Sequence, residues 1–566
     1  MRTLQHATGS VKVFATRFSR WCSGSRVLTA AAAGMVLAVG VLASPAAAVT
    51  ASISLKPSSG PPTSTVTATG TGFGASETVA VDFSGTQVAT ATTSATGTFS
   101  ATFRVPKPAL PGNHPVMATG QTSGRSATKN FLVRANWAKF HFDPANSGLN
   151  PYENVIGPAN VSGLKTAWTA ANPLGFSSVG SSPAVANGVV YVGSTQGNLY
   201  ALSAAGTTGC SGTPKTCTPL WTGTTGSITY SSPAVAGGVV YVADGGGKLY
   251  AFSAAGATGC SGTPKTCKPL WTAAIGGGIT GVSSPAVVNG VIYVTGGTNG
   301  QLYAFSAAGT TGCSGTPKTC TPLWTAANVD GQSSPAVDGG VVYVGANTSL
   351  DAFSAAGTTG CSGTPKTCLP LWTGTTGGNN PSASGAAVAG GVVYYGSGDG
   401  KLYAFSAAAG AAHCSGTPKT CKPLWTGATG NGISSTPAVA GGVAYIGSLD
   451  GNLYAFSAAG TTGCSGTPKT CKPLWTAAGA GGVPPLSPSP AVANGLVYAG
   501  SDGQLYAFSA AGTTRCSGTP KTCTPLWTTG TSTNGATFAS PAVANGVVYE
   551  GQWSGPNSPF SAYKLP

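Results

Sequence analysis

Acidic side chains are scarce in this chain. Among 566 residues there are 12 Asp and Glu, and beyond residue 165 they are Asp244, Asp330, Asp338, Asp351, Asp399, Asp450, Asp502 and Glu550. Most occupy turns, so a calcium site, which needs several oxygens converging on one point, has no obvious donor set. Histidine is almost as rare. Of the 4 in the chain, only His413 lies beyond residue 165, and it abuts Cys414 on a hairpin, a poor place for a general base. No two cysteines are adjacent and no CxxCH occurs, which removes c-type haem attachment. After Leu42 no apolar run approaches the length of a membrane-crossing helix, so no membrane anchor is expected. No nucleic-acid recognition motif is present.

The first 48 residues hold Arg2, Lys12, Arg17, Arg20 and Arg26 without an acid, then an apolar stretch from Val27 to Leu42, then Ala46, Ala47 and Ala48. This is the pattern of a cleaved secretory signal over residues 1–48. Neither a twin arginine nor a lipid-accepting cysteine accompanies it, which leaves free secretion or loose wall association. Removing those five cations takes the formal net charge from +15 to +10.

Cysteine usage points to the same compartment. Cys22 lies in the signal, and the other fourteen of the 15 form pairs with one spacing: Cys210 and Cys217, Cys260 and Cys267, Cys313 and Cys320, Cys361 and Cys368, Cys414 and Cys421, Cys464 and Cys471, Cys516 and Cys523. Local disulfides in an oxidising space are the expected chemistry. Zinc would need four ligands, and each loop supplies two sulfurs. Closing a ring this small stabilises by about 2 to 3 kcal/mol in the chain-entropy treatment.

Each pair encloses a copy of CSGTPKTC, followed by Leu-Trp-Thr. Trp168, Trp221, Trp271, Trp324, Trp372, Trp425, Trp475 and Trp527 then mark a period in the range of propeller blades. Eight markers predict eight blades. Each unit carries four short strand signals, in the first unit SSPAV, VVYVG, LYALS and PLWT. Asn187-Gly188, Asn289-Gly290, Asn494-Gly495 and Asn545-Gly546, with Gly-Gly elsewhere, supply the positive φ angles of two-residue hairpin turns. The proline of SPAV recurs as Pro183, Pro233, Pro285, Pro335, Pro437, Pro490 and Pro541, with Ala386 in its place once.

Ahead of the repeats, residues 50–134 read as a small Ig-like β-sandwich from period-2 runs broken by Gly, Pro and Ser turns. Its string GTGFGASETVAVDF resembles bacterial immunoglobulin-like domains of the IPT/TIG type, which implies a spacer or binding module. Residues 135–163, with WAKFHFDPANSGLNPYENVIGPANVSG from Trp137 on, read as an irregular connector. Residues 164–566 form the propeller. The fold class is all-β, an eight-bladed β-propeller behind an Ig-like sandwich.

The repeat pattern SPAV-x-NG-VVYVG, then G-x-LYAFSA and LW, resembles the pyrroloquinoline quinone (PQQ) repeat family. The resemblance implies that SPAV is the innermost strand and the Trp strand the outermost. It also implies a ring closed by pairing the Trp168 strand with the C-terminal strands, and it raises a PQQ-dependent dehydrogenase using calcium. That activity is associated in the family with an adjacent Cys-Cys disulfide and carboxylates around calcium, neither of which this sequence shows. No catalytic, cofactor or metal residue is therefore assigned. If PQQ were bound, Asp330, Asp351 and Glu550 would be the acids to inspect.

Other repeated residues carry two readings each. The tryptophans and Tyr200, Tyr250, Tyr303, Tyr403, Tyr454, Tyr506 and Tyr563 suit packing between blades better than ligand stacking. Asp244, Asp399, Asp450 and Asp502 suit turn stabilisation through their own backbone bonds. Lys215, Lys265, Lys318, Lys366, Lys419, Lys469 and Lys521, with Lys268, Lys422 and Lys472 beside three of them, are either solvated charges on copied hairpins or a basic rim for an anionic wall polymer. The loops that differ between units, ANPLGFSSVGS, AIGGGITGVS, ANVDGQS, GTTGGNNPSASG and AGAGGVPPLSPS, are polar and nearly uncharged. They suit a protein or glycan partner outside the cell. The expected function is an exported, non-enzymatic scaffold.

Overall fold

The computed structural model describes residues 50–170, 181–228, 231–276, 283–298, 300–378, 384–408, 413–479, 488–501, 503–529, 539–551 and 560–566. The predicted signal lies outside them, as do most of the loops that differ between units; ANVDGQS, residues 327–333, is described.

The alternating runs of the N-terminal segment become two facing sheets. Ser52–Lys56, Thr65–Thr71 and Phe99–Arg104 make a three-stranded sheet. Ser59–Gly60, Ser126–Val133, Gly112–Gly120, Thr78–Phe83 and Thr86–Thr92 make a five-stranded one. Period-2 alternation sends Val66, Phe99 and Phe103 inward against Val79, Val81, Val116 and Phe131. Within the domain, Glu77 acts as a latch. Its carboxylate accepts the N–H groups of Gly74 (2.5 Å), Thr122 (3.0 Å) and Ser123 (2.7 Å) and the Ser123 hydroxyl (2.7 Å).

Those donors, the Ser123 hydroxyl and N–H foremost, pull the Glu77 pKa from about 4.5 to about 2. A carboxylate that is more acidic when folded stabilises the fold fully above its unfolded value, and that contribution disappears as pH falls from about 4.5 through about 2. We therefore expect the sandwich to lose stability over this acid window. Glu77→Gln should lower its stability at neutral pH and flatten the dependence, measured by denaturant midpoints from pH 2 to 7.

The repeat strands form eight sheets among the described residues. In the first, Ala184–Ala186, Val189–Ser194, Asn198–Ser203 and Trp221–Thr224 run as an antiparallel meander, innermost to outermost. Asn187 and Gly188 turn the first hairpin at φ 54° and 81°, left-handed values that this pair tolerates. The innermost strands neighbour one another in cyclic order, the last against the first. Closure is as the resemblance implied: Lys165–Ala170 is the outer strand of a sheet completed by Phe560–Lys564, Val547–Gly551 and Ala542–Ala544, with Trp168 opposite Ala562.

Every Trp-strand tryptophan except the half-buried Trp527 is buried, and each packs on the blade that follows it. Trp221 Nε1 donates to the carbonyl of Ala254 in the next blade at 3.2 Å, and the Tyr191 hydroxyl reaches the same oxygen at 2.9 Å. The clasp recurs as Trp324 with Tyr293 on Ala355 and Trp425 with Tyr394 on Ala458. These second-strand tyrosines were not singled out from the sequence. One third-strand assignment needs correcting: Val548 faces Tyr563 as Val240 faces Phe252, whereas Val242 faces Tyr250. Tyr563 thus fills the Phe position, and Ser561 stands where the other blades have Tyr or, once, Asp351.

The disulfide hairpins do more than link the third strand to the outer one. Each is added to the outer edge of the preceding blade, where Thr222 pairs with Thr266 and Gly223 with Cys267 in parallel register. The Thr222 N–H donates to the Lys265 carbonyl at 3.0 Å. Seven blades carry such a strap. The hairpins are therefore not isolated protrusions, because each covers an edge that would otherwise present unpaired backbone groups.

Candidate functional site

Two places gather polar groups: the inner strands around the axis and the outer rim. Around the axis the residue before each SPAV proline makes a relay from blade to blade. The N–H of Ser182 donates to Ser232 Oγ (3.0 Å), Ser232 to Ser284 (3.0 Å) and Ser284 to Ser334 (3.1 Å). The relay resumes from Gly385 to Thr436 Oγ1 (2.9 Å), Thr436 to Ser489 (2.8 Å), Ser489 to Ser540 (2.9 Å) and Ser540 back to Ser182 (2.9 Å). It is interrupted where Gly385 lacks a hydroxyl. A Cβ at Gly385 would stand 2.6 Å from Thr436 Oγ1, so that blade cannot carry a serine without rearrangement.

The supposed irregular connector spans these inner strands. Carbonyls of Trp137, Ala138, Pro144, Ala145, Ser147 and Gly148 accept the N–H groups of Val185, Val235, Val337, Val388, Val439 and Val492, at 2.7 to 2.8 Å. Asn150 Nδ2 reaches the Val543 carbonyl at 2.8 Å. An inner strand would otherwise offer these N–H groups unpaired at the axis, and the connector satisfies them.

Between Lys139 and Asn146 the connector folds on itself. The buried Lys139 ammonium donates to the carbonyls of Phe140 (2.5 Å) and Asp143 (3.0 Å) and to Asn146 Oδ1. Burial draws its pKa down to about 7. His141 is buried beside it, with Nδ1 3.1 Å from the Asn146 carbonyl, and burial pushes its pKa down to about 3. Asn146 also bridges the gap in the serine relay, since Nδ2 donates to the carbonyls of Pro335 (3.2 Å) and Ala386 (3.0 Å). The clue in the sequence was a cluster of Lys139, His141, Asp143 and Asn146 within a chain poor in acids and histidines.

At the rim, all fourteen cysteines are joined as paired above, with S–S distances of 1.93 to 1.99 Å. Seven disulfides mark an oxidising compartment. Lys215, Lys265, Lys318, Lys366, Lys419, Lys469 and Lys521 are exposed at the hairpin tips. Among the described residues the sole ion pair is Lys401 to Asp399 at 3.5 Å, so none of these seven is neutralised by an acid there.

The turn aspartates act on their own backbone and on a tyrosine. Asp244 Oδ1 accepts the Lys248 N–H at 2.9 Å, while Oδ2 accepts the Tyr250 hydroxyl at 2.7 Å and the Gly226 N–H at 3.0 Å. Asp399 with Tyr403 and Asp450 with Tyr454 repeat the arrangement. Asp502 lies outside the described residues.

The three acids relevant to a quinone do not come together. Asp330 caps its own loop through the Gln332 N–H (2.9 Å), and Asp351 takes the Ser349 hydroxyl (3.0 Å) on a third strand. Burial raises the Asp351 pKa to about 6. Glu550 lies on the closing blade, within 3.5 Å of the Tyr563 hydroxyl. Calcium needs several oxygens around one point. Asp330 lies in a loop, Asp351 on a third strand and Glu550 on a second strand of the closing blade, and no group of three metal-ligating side chains occurs among the described residues. The residues present do not fit a calcium-bound quinone.

No curated protein sequence matches the chain. Among solved structures, the quinohemoprotein alcohol dehydrogenase of Comamonas testosteroni covers 76% of this chain and 80% of its own, at 15% identity and TM-score 0.52. The dehydrogenase ADHIIG of Pseudomonas putida HK5 gives the same values. BamB of Moraxella catarrhalis is 14% identical, with coverage of 71% and 90% and TM-score 0.37. At such identity the two dehydrogenases show a shared fold alone. Residues 50–133 match the IPT/TIG domain profile. The repeats match the PQQ_2 profile, described as outer membrane protein assembly factor BamB, over residues 159–259, 214–360, 261–515 and 369–555, and the chain belongs to that family of repeat propellers.

Proposed function

We propose that this chain is an exported, non-enzymatic propeller that serves outside the cell as a scaffold for a protein or glycan partner. The observation that carries the reading is how the polar groups of the axis are used. The serine hydroxyls accept the backbone of the neighbouring blade, and the connector carbonyls satisfy the inner-strand valines. Lys139 and Asn146 tie that connector together. Groups that a cofactor site would direct at a substrate here hold the ring together. Seven disulfides and the predicted signal support export.

The test has two arms. Calorimetric titration with PQQ and calcium, coupled to dye reduction with alcohols and sugars, should give neither heat nor turnover; reproducible cofactor-dependent turnover overturns the non-enzymatic reading. Cross-linking on the surface of the producing cells should join the chain to one partner at a constant ratio. Failure to recover any such partner overturns the scaffold reading.

A further inference from the structure

The straps create a feature that neither a blade nor a hairpin has alone. In the blade containing Lys401–Ser406 and Trp425–Ala428, the strap from the following repeat lies along the outer strand, with Thr426 opposite Thr470 and Gly427 opposite Cys471. On the other side Lys401 pairs with Ala428, and Tyr403 with Thr426. Small side chains at 426 and 428 leave a groove of about 820 Å³ between the third strand and the strap. Its walls bring together Lys401, His413 and Lys422 of one repeat and Lys469 of the next. All four are exposed, and the one acid paired with them is Asp399, on Lys401.

A second blade repeats the register. Lys248 pairs with Ala274, Tyr250 with Thr272, and Thr272 with Thr319 of the next strap, which sets Lys248, Lys268 and Lys318 at the corresponding positions. Elsewhere the third-strand lysine is replaced by Asn198, Gln301, Ser349, Asn452 or Gln504. Among the described residues a lysine therefore opens the third strand on these two blades alone, where it joins the outer-strand and strap lysines.

We propose that the groove at Lys401 and the matching lysine set at Lys248 bind a linear polyanion, a polymer carrying a phosphate or carboxylate on successive units. Lysines contribute compact point charges, without the bidentate fork by which arginine selects one anion geometry. They suit a repeating charge more than a single shaped ligand. Single-stranded nucleic acid would want aromatic faces for its bases. Tyr403 offers none, because it is buried, its hydroxyl is held by Asp399, and its ring stacks on Phe405 at 6.0 Å. The proposal rests on the scaffold reading, to which it adds a ligand.

The test uses the full chain with inorganic polyphosphate and polygalacturonate as probes, separating phosphate from carboxylate recognition. With three charge contacts, log affinity should fall with log salt at a slope of about −2, a loss of roughly twentyfold between 50 and 200 mM salt. Glutamine at Lys248, Lys268, Lys318, Lys401, Lys422 and Lys469 together should weaken binding at least tenfold and flatten the slope. A control with glutamine at Lys56, Lys107, Lys129, Lys215, Lys366 and Lys419 removes the same charge and should change affinity less than threefold. Equal weakening by both variants would reduce the effect to net charge and overturn the proposal. So would binding of neither probe, and that result would leave the cross-linking outcome standing.

Discussion

Asn146→Ala should lower the stability of the propeller by about 3 kcal/mol, since buried groups deprived of a partner cost about 1 to 3 kcal/mol each. The side chain joins three structures at once. Its carbonyl receives the buried Lys139 ammonium, and its amide spans the carbonyls of Pro335 and Ala386 where the serine relay is interrupted at Gly385. The backbone adds a further demand, because Asn146 has φ 54°, a left-handed value that costs alanine about 1 kcal/mol more than glycine. Asn146→Gly removes that strain yet still deletes the amide. The glycine variant should therefore recover only the backbone share of the loss, and full recovery would mean that the amide bridge contributes nothing. Asn146→Asp keeps the acceptor for Lys139 and deletes the donor, so it should fall between wild type and alanine. Denaturant midpoints followed by tryptophan fluorescence read all three.

The meander and the hairpin turns were legible because each rests on a local signal repeated many times, whereas the ring closure followed from the family resemblance. SPAV, the Asn-Gly or Gly-Gly turn and the Trp strand recur in the same order in unit after unit, and no distant contact is needed to interpret them. What the sequence concealed lies between units. The strap on the preceding blade requires knowing that Thr266 lies beside Thr222, a pairing set by the radial arrangement of blades and not by spacing along the chain. The connector was hidden for a similar reason, since its bonds to six valines come from backbone carbonyls, which any residue supplies. Tyr563 was misaligned because the closing strand lacks the LYAF string, and only its register with Val548 assigns it. The basic grooves were half legible. The lysines were visible as a repeated set, but which of them share one blade edge depends on which third strand begins with lysine and on a strap donated by the next repeat.

Gly256→Ala should destabilise the propeller by several kcal/mol, about 2 to 5 in all. Gly256 has φ 60°, and a Cβ there would stand 2.3 Å from Cδ1 of Trp221 in the preceding blade and 2.9 Å from its Cγ and Nε1. The same approach recurs at Gly206, Gly309, Gly357, Gly460 and Gly512, each against the tryptophan of the blade before. The glycine and the tryptophan therefore form one device: the indole lies against the Gly256 backbone and donates to the Ala254 carbonyl at 3.2 Å. Overpacking costs about 1 to 3 kcal/mol. The left-handed backbone adds about 1 to 2 kcal/mol for alanine. Gly237 supplies the control, because it has φ 56° with nothing within 4 Å of its Cβ direction. Gly237→Ala carries the backbone cost alone, so the difference between the two variants isolates the tryptophan contact, and equal midpoints would show that Trp221 yields without loss. Blades couple mainly to their neighbours. The extra hydrogen exchange in Gly256→Ala should therefore concentrate in the two blades that share Trp221, and uniform loss of protection around the ring would instead show that the closed propeller opens as one unit.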